Sequence, residues 1–153
     1  MRLDKAWIAQ RIPHAGSMCL LDEVLEWSAD RILCRSGTHR GGDNPLRAHG
    51  RLGAVCAVEY AAQAMAVHGS LAGAADAKTR PGYLASVRGL MLRVSRIDDI
   101  DEDLLVAAAR LAGDAGGVTY EFNVRPRGAE PAAALVSGRA TILFGAGPEE
   151  TQP

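Results

Sequence analysis

Apolar residues dominate one long block in the middle of the chain, and alternating runs flank it on both sides. The block is Leu52 to His68, broken only by Glu59, Tyr60, Gln63 and the terminal histidine. Nothing in it after Gly53 breaks a helix, and its Ala, Met and Leu residues favour one. A helix that is apolar on every side is expected to be buried on every side. Ahead of it, Asp4 to Arg11 reads as a short helix capped by Asp4 and ended by Pro13. Met18 to Trp27 and Arg31 to Thr38 read as two strands joined by a turn at Ser28-Ala29-Asp30. His39 to Gly50 carries glycines, Asp43, Asn44 and Pro45 and reads as a loop, as does Gly69 to Pro81. Gly82 to Ile97, Val118 to Arg125 and Ala132 to Phe144 read as strands, while Leu104 to Leu111 suits strand or helix.

The order is thus helix, two strands, one buried helix and about four strands. An α+β fold in which an antiparallel sheet curls around a central helix accommodates that order, because the helix has no face fit for water. At 153 residues the chain suits one domain, taken as 1–145, with a loose tail at 146–153.

Glu59 is the residue that asks for a reason. A carboxylate in a buried helix costs several kcal/mol unless it is paired or protonated. Burial raises a carboxyl pKa, and such a group can donate a proton near neutral pH. The plain alternative is a structural tether to a neighbouring loop. Gln63 lies one helical turn further on, so amide and carboxyl are expected to share a pocket or a hydrogen-bond network.

Composition narrows the classes. A formal net charge of -1 gives no reason to expect nucleic acid or an anionic membrane as partner. The Leu52 to Leu71 stretch is near the length of a membrane span, but its alanine bulk and polar residues argue against one. Cys19, Cys34 and Cys56 have no metal-ligand spacing, so no metal or other cofactor is expected. Three unpaired thiols in apolar surroundings fit a reducing cytoplasm. His39 is expected to be solvated, His68 to cap the long helix at its negative end, and His14 to make a local structural hydrogen bond.

Two motifs carry a resemblance. Ile12-Pro13-His14-Ala15-Gly16-Ser17-Met18-Cys19-Leu20-Leu21-Asp22-Glu23-Val24 resembles the N-terminal segment of the 3-hydroxyacyl-ACP (acyl carrier protein) dehydratases, which have the hotdog fold. Val58-Glu59-Tyr60-Ala61-Ala62-Gln63-Ala64 is similar to their central-helix Glu-x-x-Ala-Gln pattern. Both stand in register inside the matching order of elements, from Trp7 to Phe144, and look closest to the branch linked to aryl-polyene pigment synthesis.

The resemblance implies a dimer with a continuous sheet and acyl tunnels at the interface, either a homodimer or a pairing with a paralogous hotdog subunit. It implies an acyl carrier protein as partner, bearing a phosphopantetheine-linked 3-hydroxyacyl chain. A loop histidine of one subunit would take the α-proton. The helix carboxylic acid of the other, here Glu59, would protonate the leaving hydroxyl. Gly53 and Ala54 stand where helix-start amides would hold the thioester carbonyl, with Asn44 and Gln63 as further substrate contacts.

The chain departs from the pattern at the histidine. Counting back from Glu59 places Pro45 there, with Asn44 beside it, and the nearest imidazole is His49. Two other readings therefore stand beside the dehydratase: a hotdog thioesterase using Glu59 on water, and a degenerate acyl-binding or scaffold subunit. Arg88, Arg93, Arg96, Arg125 and Arg127 are candidates for a basic rim that receives an acidic carrier protein. The acidic run Asp98 to Asp103 reads as an exposed connection.

Overall fold

The computed structural model describes residues 3–12, 16–73 and 82–144. They form helix α1 (Lys5–Ala9), strands β1 (Glu23–Trp27) and β2 (Arg31–Ser36), helix α2 (Ala57–Ala72), and strands β3 (Gly82–Leu92), β4 (Leu104–Asp114), β5 (Gly117–Pro126) and β6 (Val136–Phe144). The strands make one antiparallel sheet in the order β1-β2-β4-β5-β6-β3. Helix α2 lies across β2, β4, β5 and β6. This is the hotdog architecture, a sheet laid around one long helix. The domain bound at 145, the tail 146–153 and His14 lie outside the described residues.

The alternation of side chains decides which face each strand offers to α2. Ile32, Ala108 and Phe122 stand in one register row, and Cys34, Val106, Val124 and Val136 in the next; all are buried. Alanine and valine in β4 let the helix approach closely. That settles the ambiguous Leu104 to Leu111 segment as strand. Asp4 caps α1 as expected, its Oδ1 accepting from Trp7 N–H at 3.1 Å.

Several boundaries move. The first strand starts at Glu23, because Gly16–Met18 is a 3-10 turn and the segment after it is held by side chains. The long helix opens with a 3-10 turn at Ala54–Cys56 and runs four residues past His68. Strand β3 ends at Leu92, and residues 93–97 turn away to meet the helix start.

The larger correction concerns α2 itself. Ala57, Tyr60, Ala61, Gln63, Ala64, Met65, Val67 and His68 are buried. Val58, Glu59, Ala62 and Ala66 are only half-buried, and Val55 is 56% exposed. A six-stranded sheet covers one side of a helix. The other side is a stripe of valine and alanine that the described residues leave half-open. No helix among the described residues is long and apolar enough to cross a membrane.

Candidate active site at the start of the central helix

Glu59 lies in the first turn of α2, on that open stripe. The burial expected from its apolar neighbours in sequence is incomplete within one chain. What surrounds it is built by the loop between β2 and α2, and a buried polar network fixes that loop. Asn44 Nδ2 donates to Thr38 O at 3.0 Å and to Tyr60 Oη at 2.9 Å, and its Oδ1 accepts from Leu46 N–H at 2.9 Å. Thr38 Oγ1 is bonded to Tyr60 Oη at 2.8 Å and donates to Leu20 O at 2.8 Å. Gln63 completes the clamp: Oε1 accepts from Leu20 N–H at 2.9 Å and Nε2 donates to Met18 O at 2.7 Å. Tyr60 and Gln63 thus tie the N-terminal segment and the β2–α2 loop to α2.

Asn44 and Gln63 are therefore taken up by the protein's own main chain and the Tyr60 hydroxyl. Gln63 is buried beneath the clamp, while Glu59, one helical turn before it, is half-buried beside the open stripe.

The helix start is stitched to the segment after β3. Ala54 N–H donates to Ser95 O at 3.0 Å, Ile97 N–H to Leu52 O at 2.9 Å, and Leu52 N–H to Asp98 Oδ1 at 2.9 Å. Arg96 holds Asp98 through two guanidinium contacts and keeps its carboxyl well below the usual carboxylate range. The acidic run is thus more than an exposed connection. Asp98 braces the loop that enters α2, and Asp103 accepts from Arg35 at 3.0 Å and Arg40 at 2.6 Å. Of the two helix-start positions expected to hold a thioester carbonyl, Ala54 has its N–H engaged by Ser95, and Gly53 caps the 3-10 turn through its carbonyl. No acceptor among the described residues meets the N–H of Val55, which adjoins the open stripe.

His49 sits at the tip of a two-residue turn. Ala48 and Arg51 exchange both backbone hydrogen bonds, at 2.9 and 3.1 Å, and His49 and Gly50 have φ of 53° and 76°. Two consecutive positive φ values mark a mirror-image hairpin turn, which favours Asn-Gly. A histidine there is held in the left-handed region at a cost of about 1 kcal/mol. Its side chain is exposed and makes none of the described hydrogen bonds. His49→Asn is expected to raise stability by about 0.5–1 kcal/mol, read as a higher urea midpoint with unchanged slope.

The other two described histidines were misjudged from sequence. His39 is fully buried, with Nε2 bonded to Ile100 O at 2.9 Å and Nδ1 without a partner among the described residues. His68 does not cap α2. It is buried between Tyr120 Oη at 2.6 Å and Ser28 O at 2.9 Å. Burial lowers both imidazoles below the ordinary value of 6.5. Between that value and their lower folded values, the unfolded chain binds protons that the fold refuses. Stability is therefore whole above pH 6.5 and is lost as pH falls below it, by at most about 1.4 kcal/mol per pH unit for each histidine. The urea midpoint should be lower at pH 5.5 than at pH 8, and His68→Gln should flatten that slope.

Burial pushes the thiols of Cys19 and Cys56 up and that of Cys34 up to about 12, which suits inert core residues better than nucleophiles. All three cysteines are free. Among the described residues no group of three or more His, Cys, Asp or Glu could hold a metal. Of the arginines expected at a basic rim, Arg96 is bound to Asp98, and Arg125 donates to Ala129 O and Asn123 Oδ1.

Comparison with known proteins follows the fold. No curated protein sequence matches the chain. Among solved structures it is similar to the dehydratase heterocomplex ApeI:P from Xenorhabdus doucetiae, with a TM-score of 0.76 at 23% identity over 91% of both chains. A putative thioesterase from Silicibacter has a TM-score of 0.66 at 13% identity, covering 94% of this chain and 93% of that one. Zebrafish thioesterase superfamily member 2 has a TM-score of 0.60 at 15% identity, covering 94% and 99%. At such identities the likeness is one of fold. A protein-family model described as ApeP-like, ApeP dehydratase, matches residues 6–142, and the chain belongs to that dehydratase family.

Proposed function

We propose that the chain is one subunit of a two-subunit dehydratase that removes water from 3-hydroxyacyl thioesters on acyl carrier protein, giving the 2-enoyl thioester. The observation that carries this reading is Glu59, a carboxyl group in the first turn of α2, on a helix face the chain leaves half-open. A second hotdog subunit laid over that face would enclose the carboxyl in an apolar channel lined by valine and alanine. Enclosure of that kind favours a proton donor.

Glu59 protonates the leaving hydroxyl, because hydroxide leaves poorly without an acid. The Val55 N–H is the helix-start donor suited to the thioester carbonyl, helped by the positive end of the helix dipole. The base comes from across the interface. In a homodimer that is His49, whose exposed tip position suits reaching into a partner better than serving its own chain. In a heterodimer it is a group of the paralogous subunit, and this chain is then the acid-bearing or scaffold half. Asn44 and Gln63 act as positioning residues, holding the loop and the N-terminal segment against α2. Three free cysteines support a reducing cytoplasm as the setting.

The test is product analysis. The protein, alone and with a paralogous hotdog subunit, is incubated with 3-hydroxyacyl and saturated acyl carrier-protein thioesters, and the carrier is weighed by mass spectrometry. Loss of 18 Da, the mass of water, from the hydroxyacyl form alone is expected. Release of free thiol from the saturated form would replace this reading with a thioesterase.

A further inference from the structure

One buried hydroxyl holds the turn of α2 that carries Glu59. The Tyr60 side chain is fully buried, and its phenol oxygen lies 2.8 Å from Thr38 Oγ1 and 2.9 Å from Asn44 Nδ2. Proton accounting fixes the direction of each bond. An amide nitrogen only donates, so Tyr60 Oη accepts from Asn44. The second N–H of Asn44 goes to Thr38 O. The proton of Thr38 Oγ1 goes to Leu20 O, which leaves Thr38 Oγ1 as the acceptor for the phenol's own proton. The chain of bonds therefore runs from Asn44 to Tyr60 to Thr38 to Leu20. Burial pushes the phenol pKa up, so Tyr60 stays a donor.

Both groups that flank the phenol belong to the loop between β2 and α2. Gln63 ties the helix to Met18 and Leu20, whereas Tyr60 ties it to Thr38 and Asn44. Packing against the sheet chooses the face that α2 buries, but apolar contacts are non-directional and leave a helix some freedom to turn about its axis. Two directional hydrogen bonds to a rigid ring remove that freedom. Glu59 is the residue directly before the ring. A side chain stands about 5–6 Å from the helix axis, so a turn of roughly 10° moves the carboxyl by about 1 Å. A misplacement of that size can cost about 10²-fold in rate.

We infer that Tyr60 is a positioning residue for Glu59: its hydroxyl, held between Asn44 and Thr38, sets the rotation of the first turn of α2 and with it the place of the carboxyl. The ring itself is sealed in the core and acts only through its neighbour. This rests on the reading of Glu59 as the acid, and a double-mutant cycle lets either fail by a different result.

The cycle is run on dehydration of a 3-hydroxyacyl carrier-protein thioester, with wild type, Tyr60→Phe, Glu59→Gln and the double variant. Tyr60→Phe keeps the ring and removes the hydroxyl. It should lower kcat about tenfold and leave KM unchanged. In the Glu59→Gln background the same change should cost less than about twofold, because the carboxyl through which it acts is gone. Thr38→Val removes the acceptor, while Leu20 O keeps the Ser36 hydroxyl as a donor. It should repeat the loss, and Thr38→Ser should recover most of it, which guards against a folding defect peculiar to Tyr60→Phe. An equal loss in both backgrounds, a loss confined to KM, or no loss in Tyr60→Phe and Thr38→Val would overturn the inference and leave Glu59 as the acid. No turnover by the wild type, or equal rates for it and Glu59→Gln, would overturn the assignment of the acid and the inference with it.

Discussion

Glu59→Gln should slow the elimination of water by roughly 10²- to 10⁴-fold, the usual contribution of a positioned general acid. The amide keeps the shape of the carboxyl and cannot donate the proton that the departing hydroxyl needs. Substrate binding should be little altered, so the loss should fall on kcat with KM nearly unchanged. Any cost to the fold should be small beside the catalytic loss, about 1 kcal/mol at most, because Glu59 is half-buried and Gln keeps its shape and a hydrogen-bonding oxygen. Single-turnover kinetics on a 3-hydroxyacyl carrier-protein thioester, with unfolding curves alongside, separate the two effects. Equal rates for both proteins would remove Glu59 from the chemistry and leave it as a tether.

The second large effect should come from a residue that touches no substrate. Gln63→Leu keeps most of the side-chain volume and removes both hydrogen bonds to the main chain of Met18 and Leu20. A buried N–H and a buried carbonyl are then left without partners, at about 1–3 kcal/mol each. A loss near 3 kcal/mol should lower Tm by roughly 6–12 °C in a domain of this size. Should Gln63 instead be a substrate contact, the variant would melt like the wild type and show its defect in KM. Thermal unfolding followed by circular dichroism decides between them.

Much of the architecture was legible because it rests on local pattern. The capped first helix, the strand alternation in Arg31 to Ser36 and Val118 to Arg125, and the helix-compatible block after Gly53 are each set by neighbours within a few residues. The central-helix pattern around Glu59 and Gln63 likewise pointed to the family that the chain joins. The errors share a cause. His39, His68 and Asp98 were read as surface residues from their sequence neighbours. Their partners are Ile100 O, the Tyr120 hydroxyl and the Leu52 N–H, between 46 and 61 residues away. Periodicity carries no information about such pairs.

Glu59 shows the same division. The sequence by itself determined that a carboxylate stands inside an apolar helix, and hence that something must cover or use it. Only the tertiary structure decided which side of the helix this chain covers. A six-stranded sheet can wrap one face, and Tyr60 and Gln63 fall on that face, one turn apart, with their polar ends absorbed by the backbone of the neighbouring loop. Glu59, one step back from Tyr60 and only about 40° from Gln63 around the helix, falls at the rim of that face, beside the open stripe. A rotation of about 40° separates the clamp residue Gln63 from the candidate catalyst, and it is packing against the sheet that sets the rotation.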